Sequence, residues 1–190
     1  MMFTIDKQEA YFHQAAAYYN AARVLFIPDR DREFNSIYVF GPLTFCIGHA
    51  LELTLKLHLM LKKIDFKFTH DLKKLFKICI EKKCFSLLEL DERCSQLNPI
   101  QNRPVWLLAK AKEHNVFETK DGTIFNTYTQ VVSLSQNFFQ SLAGDASGKS
   151  YLVRYPEIDF PHHKFDIEVV LTAIDILLDA ARCKIIEHGK

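Results

Sequence analysis

With 190 residues the chain is long enough to bury roughly 70% of its unfolded surface around one core, and it needs no disulfide staples to do so. Its 24 Lys and Arg stand against 23 Asp and Glu, a net charge of +1 that excludes a global positive field and leaves only local clusters for contacts with phosphate. The five cysteines, at 46, 79, 84, 94 and 183, form no CxxC pair and leave one over in any disulfide scheme, so a reducing, cytoplasmic setting is expected.

The opening Met1-Met2-Phe3-Thr4-Ile5-Asp6-Lys7 reaches charge before an apolar run of signal-peptide length can form, so export is not expected. Tyr11, Ala15, Tyr18, Ala22 and Leu25 then recur at steps of three and four, which predicts a helix over 5–26. Ile27-Pro28-Asp29-Arg30-Asp31-Arg32 breaks it, because a proline disfavours helical geometry in the residue before it and the charges require water.

Pro42 suits the first turn of a second helix, where its missing N–H has no partner to lose, and an apolar run carries that helix to about Ile64. Leu43, Cys46, Ile47, Ala50, Leu57, Leu61 and Ile64 fall near one face; His49, Glu52, Lys56 and Lys63 share another. His49, Glu52, Lys56 and His58 make the segment too costly for a bilayer, so it reads as a buried helix and no membrane contact is expected. Glu52 and Lys56 have the i, i+4 spacing of an ion pair. With His49 they form either a solvated stripe or a polar line facing a cleft or a partner subunit.

Thr69-His70-Asp71 supplies capping side chains before Leu72, Leu75, Phe76, Cys79 and Ile80, so a third helix begins near His70 with its lysines toward solvent; His70 and Asp71 read as the cap, worth about 1 kcal/mol. Shorter helices are expected over 86–97 and over 104–114, the latter anchored by Trp106. After the Lys120-Asp121-Gly122-Thr123 turn, Tyr128, Val131, Val132, Ser135, Phe138, Phe139 and Leu142 keep helical spacing up to Gly144. Residues 144–163, with two glycines and two prolines, read as a long loop containing one extended piece, and loops of this length are often functional.

The last helix, from Asp166 to about Glu187, carries two adjacent apolar stripes: Ile167, Val170, Leu171, Ile174, Leu177, Leu178, Ala181 and Ile185, flanked by Val169, Ala173, Ile176, Ala180 and Cys183. So broad a face demands either a central position or a subunit interface. With no internal repeat or linker in the chain, these elements predict an all-α fold: an up-and-down bundle of about five to six helices forming one domain over 1–190.

The run Gly48-His49-Ala50-Leu51-Glu52-Leu53-Thr54-Leu55-Lys56, followed by His70-Asp71-Leu72-Lys73-Lys74-Leu75-Phe76, resembles the two central helices of HEPN-domain proteins, and the closing helix resembles theirs more loosely. The resemblance implies a helical bundle, usually a homodimer, associated with RNA or nucleotides and with prokaryotic defence or toxin–antitoxin systems. It therefore also implies an antitoxin or other protein partner. Many members are metal-independent ribonucleases, with an arginine usually followed by a polar residue and a histidine separated from that arginine by about four to six intervening positions, near the start of the last helix. The nearest match here is Arg154 to His162, with seven residues between them, and Tyr155 stands where a polar residue is usual. His163 adjoins the second position. In such chemistry a histidine moves a proton at the 2′-oxygen or the leaving oxygen, while an arginine holds the phosphate as negative charge develops.

Other constellations carry less. His162 and His163 near Asp159 or Asp166 lack the spacing of metal ligands, so neither metal nor cofactor is expected. Tyr18, Tyr19, Trp106, Phe138 and Phe139 sit at helical spacing and read as core rather than as a platform for stacked bases. The competing functional reading is a non-catalytic, dimerising interaction module that docks a protein through its last helix.

Overall fold

The computed structural model describes residues 5–26, 40–66, 69–97, 131, 134 and 167–188. Within them the chain forms five helices and no strand: α1 (Ile5–Leu25), α2 (Phe40–Leu61), α3 (Leu72–Glu81), α4 (Leu87–Leu97) and α5 (Ile167–His188). The expected all-α bundle is what forms. The helix expected over 104–114 and the loop over 144–163 lie outside the described residues. Of the helix expected after the turn at 120–123, only Val131 and Leu134 are described, both helical and both fully buried.

Helix α1 starts with Asp6 in its first turn and ends with Arg23 in its last, each opposing the helix dipole at its own end. It lies along α2, where Ala15 and Ala22 are fully buried and present small side chains that let the two backbones approach. Helix α2 is the centre of the fold, touching α1, α3 and α5. Its buried residues occupy every side: Leu43, Ile47, Ala50, Leu51, Leu55, Leu57, Leu59 and Met60. A helix buried on every side has to be enclosed by neighbours, and each of its buried leucine, isoleucine and methionine side chains contributes on the order of 1.5–3 kcal/mol by leaving water.

Helix α3 shows the opposite pattern, a single apolar stripe of Leu72, Leu75, Phe76 and Cys79 with Lys73, Lys74 and Lys77 exposed. Its cap is Asp71, whose Oδ1 accepts the Lys74 N–H at 3.0 Å. Thr69 Oγ1 accepts the Asp71 N–H at 3.1 Å and fixes the approach. His70 has no part in this cap. Between α3 and α4, Ser86 accepts the Leu90 N–H through its carbonyl (3.1 Å) and the Glu89 N–H through its hydroxyl (3.3 Å), starting α4.

Most of both stripes of α5 is covered: Val169, Val170, Leu171, Ala173, Ile174, Ile176, Leu177, Leu178 and Ala181 are buried, Ile167, Ala180 and Ile185 are half-buried and Cys183 is exposed, and the helix packs on α1, α2 and α4. Of the two explanations for its broad apolar face, the central position is the one realised. One apolar cluster joins residues of all five helices, with Ala50 of α2 and Ile174 of α5 both at its fully buried heart.

Helices α2 and α3 end in the same way. The Ile64 N–H bonds the Leu59 carbonyl and the Lys63 N–H bonds the Met60 carbonyl, both at 2.9 Å, with Lys63 at φ 55°. Cys84 and Lys83 repeat the pattern onto Cys79 and Ile80, with Lys83 at φ 52°. These are Schellman turns with lysine in the left-handed position that glycine usually takes. The second helix therefore stops at Leu61, short of Ile64, and Lys63 lies beyond it rather than on the face of His49, Glu52 and Lys56.

Candidate functional site

A carboxylate in the middle of a buried helix must find partners or lose its charge, and Glu52 finds several. Its side chain is 3% exposed. The Lys56 ammonium, one turn along α2 and 4% exposed, donates to Glu52 Oε1. From the loop before α3, His70 Nδ1 sits 3.0 Å from Oε1 and 3.1 Å from Oε2. His49 Nδ1 approaches Oε2 at 3.7 Å from the turn before.

His49, Glu52 and Lys56 thus meet as a polar cluster, and the alternative of a solvated stripe is overturned. Glu52 and Lys56 are buried against each other among the leucines of α2, with His49 half-buried at the edge of the cluster. A charge pair so enclosed is costly to desolvate and is tolerable only when its remaining hydrogen-bonding capacity is used. His70 supplies part of it.

The electrostatics give the two histidines different roles. His49 stacks on Tyr18 of α1 at 5.1 Å between ring centroids and meets Phe45 edge-on at 4.5 Å. Burial holds its imidazole below the usual histidine range; nearby Glu52 works against this, while His70 and Lys56 add to it. His70, by contrast, has a side chain 58% exposed. An ionised carboxylate only accepts, so Nδ1 of His70 carries the hydrogen and donates it to Glu52, which leaves Nε2 as the ring nitrogen not engaged by this pair. A buried carboxylate orienting an exposed imidazole is an arrangement suited to general base chemistry. Among the described residues no group of three His, Cys, Asp or Glu side chains is placed to hold a metal ion.

Arg154, His162 and His163 lie outside the described residues. The aromatics Tyr18 and Tyr19 belong to the packing, Tyr19 in the core and Tyr18 against it, as expected; Trp106, Phe138 and Phe139 also lie outside the described residues. His70 is the member of the cluster that sequence reasoning missed, since its place beside Asp71 suggested a cap. The signal that identifies it is Glu52 itself: a carboxylate within an apolar run implies a partner on the next element to return along that face.

No family model, curated protein or solved structure matches this chain. Among the described residues no helix is long and apolar enough to cross a membrane.

Proposed function

We propose that this chain is a HEPN-like helical module that binds RNA or nucleotides and cleaves RNA without a metal ion, acting as a homodimer within a prokaryotic defence or toxin–antitoxin system. The observation that supports this reading is the Glu52–His70 pair. It ties together the two segments on which the resemblance rests, 48–56 and 70–76, and leaves an exposed, oriented imidazole where they join. In the proposed reaction His162, or His163 beside it, takes the proton of the 2′-hydroxyl. The 2′-oxygen bonds to phosphorus, the 5′-oxygen leaves and regains a proton, and Arg154 balances the charge on the phosphate oxygens.

The test is cleavage of single-stranded RNA in a chelator by the wild type, Arg154→Ala and His162→Ala, with RNA binding followed in parallel by fluorescence anisotropy. Cleavage by the wild type, reduced at least about 100-fold in both variants, is expected. Absence of cleavage in the wild type, or equal cleavage in all three, removes the ribonuclease. Absence of RNA and nucleotide binding removes the whole reading. Light scattering at high micromolar concentration addresses the dimer, which a monomeric mass would rule out.

A further inference from the structure

The Schellman turn that closes α3 has a chemical peculiarity. Its outer hydrogen bond runs from the Cys84 N–H to the Cys79 carbonyl, at 2.8 Å. The two residues joined in this way ordinarily bring a pair of apolar side chains into contact. Here both are cysteines, so the motif sets their two side chains against each other. Cys79 Sγ also reaches the Leu55 carbonyl of α2 at 3.5 Å. Both thiols are free, Cys79 fully buried and Cys84 2% exposed.

Cys84 is also part of the wall of a cavity of about 180 Å³ between the start of α4 and the later turns of α5. Two cationic residues, Arg93 and Lys184, line it against one carboxylate, Glu89. The Lys184 ammonium donates to the Cys84 carbonyl at 3.4 Å, which keeps that charge beside the thiol. His58 lines the same cavity; it is 1% exposed, and its Nδ1 has no hydrogen-bond partner. A small cavity with an excess of positive charge beside a thiol is suited to an anionic visitor that reacts with sulfur.

We propose that Cys84 and Cys79 form a thiol–disulfide exchange site that accepts a low-molecular-weight anionic disulfide, with Arg93 and Lys184 recognising its carboxylates. The neighbouring Cys79, then Lys62 and Lys184, draw the Cys84 thiol below its ordinary range against the opposing effect of burial, while Cys84 and burial push Cys79 up. Cys84, which lines the cavity beside Lys184, therefore attacks, and Cys79, fully buried and off the cavity wall, resolves. The Cys84 thiolate bonds to one sulfur of the disulfide and expels the other half as a thiolate. That thiolate takes the Cys79 proton; Cys79 sulfur then bonds to Cys84 sulfur and expels the second half, which takes the proton released when Cys84 ionised. Two protein thiols and one disulfide become one protein disulfide and two small thiols, with two electrons passing to the small molecule.

Reduced full-length protein is exposed to oxidised glutathione, quenched by alkylation and mapped by tryptic mass spectrometry, with exposed Cys183 as the internal measure of non-specific reaction. In the wild type a linked 79–84 peptide pair is expected to form faster than Cys183 is glutathionylated. Cys79→Ser accumulates the mixed disulfide on Cys84, and Cys84→Ser leaves Cys79 unmodified. Arg93→Ala and Lys184→Ala slow the reaction with oxidised glutathione by about fivefold or more, yet change that with neutral hydroxyethyl disulfide by less than about twofold. A wild type that modifies Cys183 while 79 and 84 stay reduced overturns the site without recourse to any variant. Modification of Cys79 in Cys84→Ser overturns the order of attack, and equal slowing toward both disulfides overturns the anion recognition.

Discussion

His70 Nδ1 lies within hydrogen-bonding distance of both carboxylate oxygens of Glu52, at 3.0 and 3.1 Å, across a separation of 18 residues. That contact joins α2 to the start of α3 at the one place where the interior of α2 is ionic. Because Glu52 also holds the buried Lys56, it is the member whose loss strands the most charge.

Glu52→Leu is therefore expected to destabilise the fold by about 3–5 kcal/mol, since it leaves the Lys56 ammonium buried without its counter-charge. Glu52→Leu with Lys56→Met removes both charges and keeps similar volume, so it is expected to regain at least half of the loss. Urea unfolding of the two single variants and the double gives the coupling directly; strict additivity would mean that the two side chains do not depend on each other.

The Leu177 carbonyl accepts a hydrogen bond from His58 Nε2–H at 2.9 Å. Burial, assisted by Lys184 and opposed by that bond, brings the His58 pKa down to about 4. The unfolded chain gains a proton at this residue as pH falls through about 6.5, whereas the folded chain resists until about 4, so stability is full above pH 6.5 and declines as pH drops between the two values. The decline amounts to something on the order of 3 kcal/mol. His49 is shifted the same way and adds to it. His58→Gln keeps a donor for Leu177 and cannot titrate, so its stability, measured by urea unfolding at a series of pH values, should fall less steeply across this window than that of the wild type. Parallel curves would show that His58 is not the titrating group.

Core and surface positions should separate sharply. Phe76→Ala empties a fully buried site between α2 and the turn after α3, next to Phe85 at 5.4 Å between ring centroids, and is expected to cost about 3–5 kcal/mol. Leu88→Ala, at a position 65% exposed, should change stability by less than about 0.5 kcal/mol. Thermal or urea melts of the two variants decide it, and similar losses would contradict the described packing.

What could be read from the chain and what could not follow from range. Periodicity is local, so Ala15 and Ala22 marked the buried side of α1, and Leu72, Leu75 and Phe76 marked that of α3 without any knowledge of their neighbours. The stripes of α5 were equally legible; whether they faced the chain's own core or a partner was not, because periodicity does not say what covers a face. His70 was misread for a related reason. Two polar residues before a helix look like a cap from sequence alone, and only the return of α3 alongside α2 brings Glu52 within reach. The end of α2 was placed at Ile64 because no glycine marked the turn at Lys63, and a lysine at positive φ leaves no trace in composition.

Those two lysines yield the last prediction. A residue with a Cβ in the left-handed region costs roughly 1 kcal/mol through the clash with its own carbonyl, and glycine there escapes that cost while losing more chain entropy on folding. At φ 55° and 52°, Lys63 and Lys83 both bear this strain, and neither lies on the buried side of its helix. Lys63→Gly and Lys83→Gly should each stabilise the fold by about 0.5–1 kcal/mol, and the pair should add, because the turns close different helices. Alanine at either site retains the Cβ and should bring no such gain. Melting curves of the four single variants make the comparison; a glycine variant no more stable than its alanine counterpart would mean that the turn does not hold the left-handed geometry on which both helix ends are built.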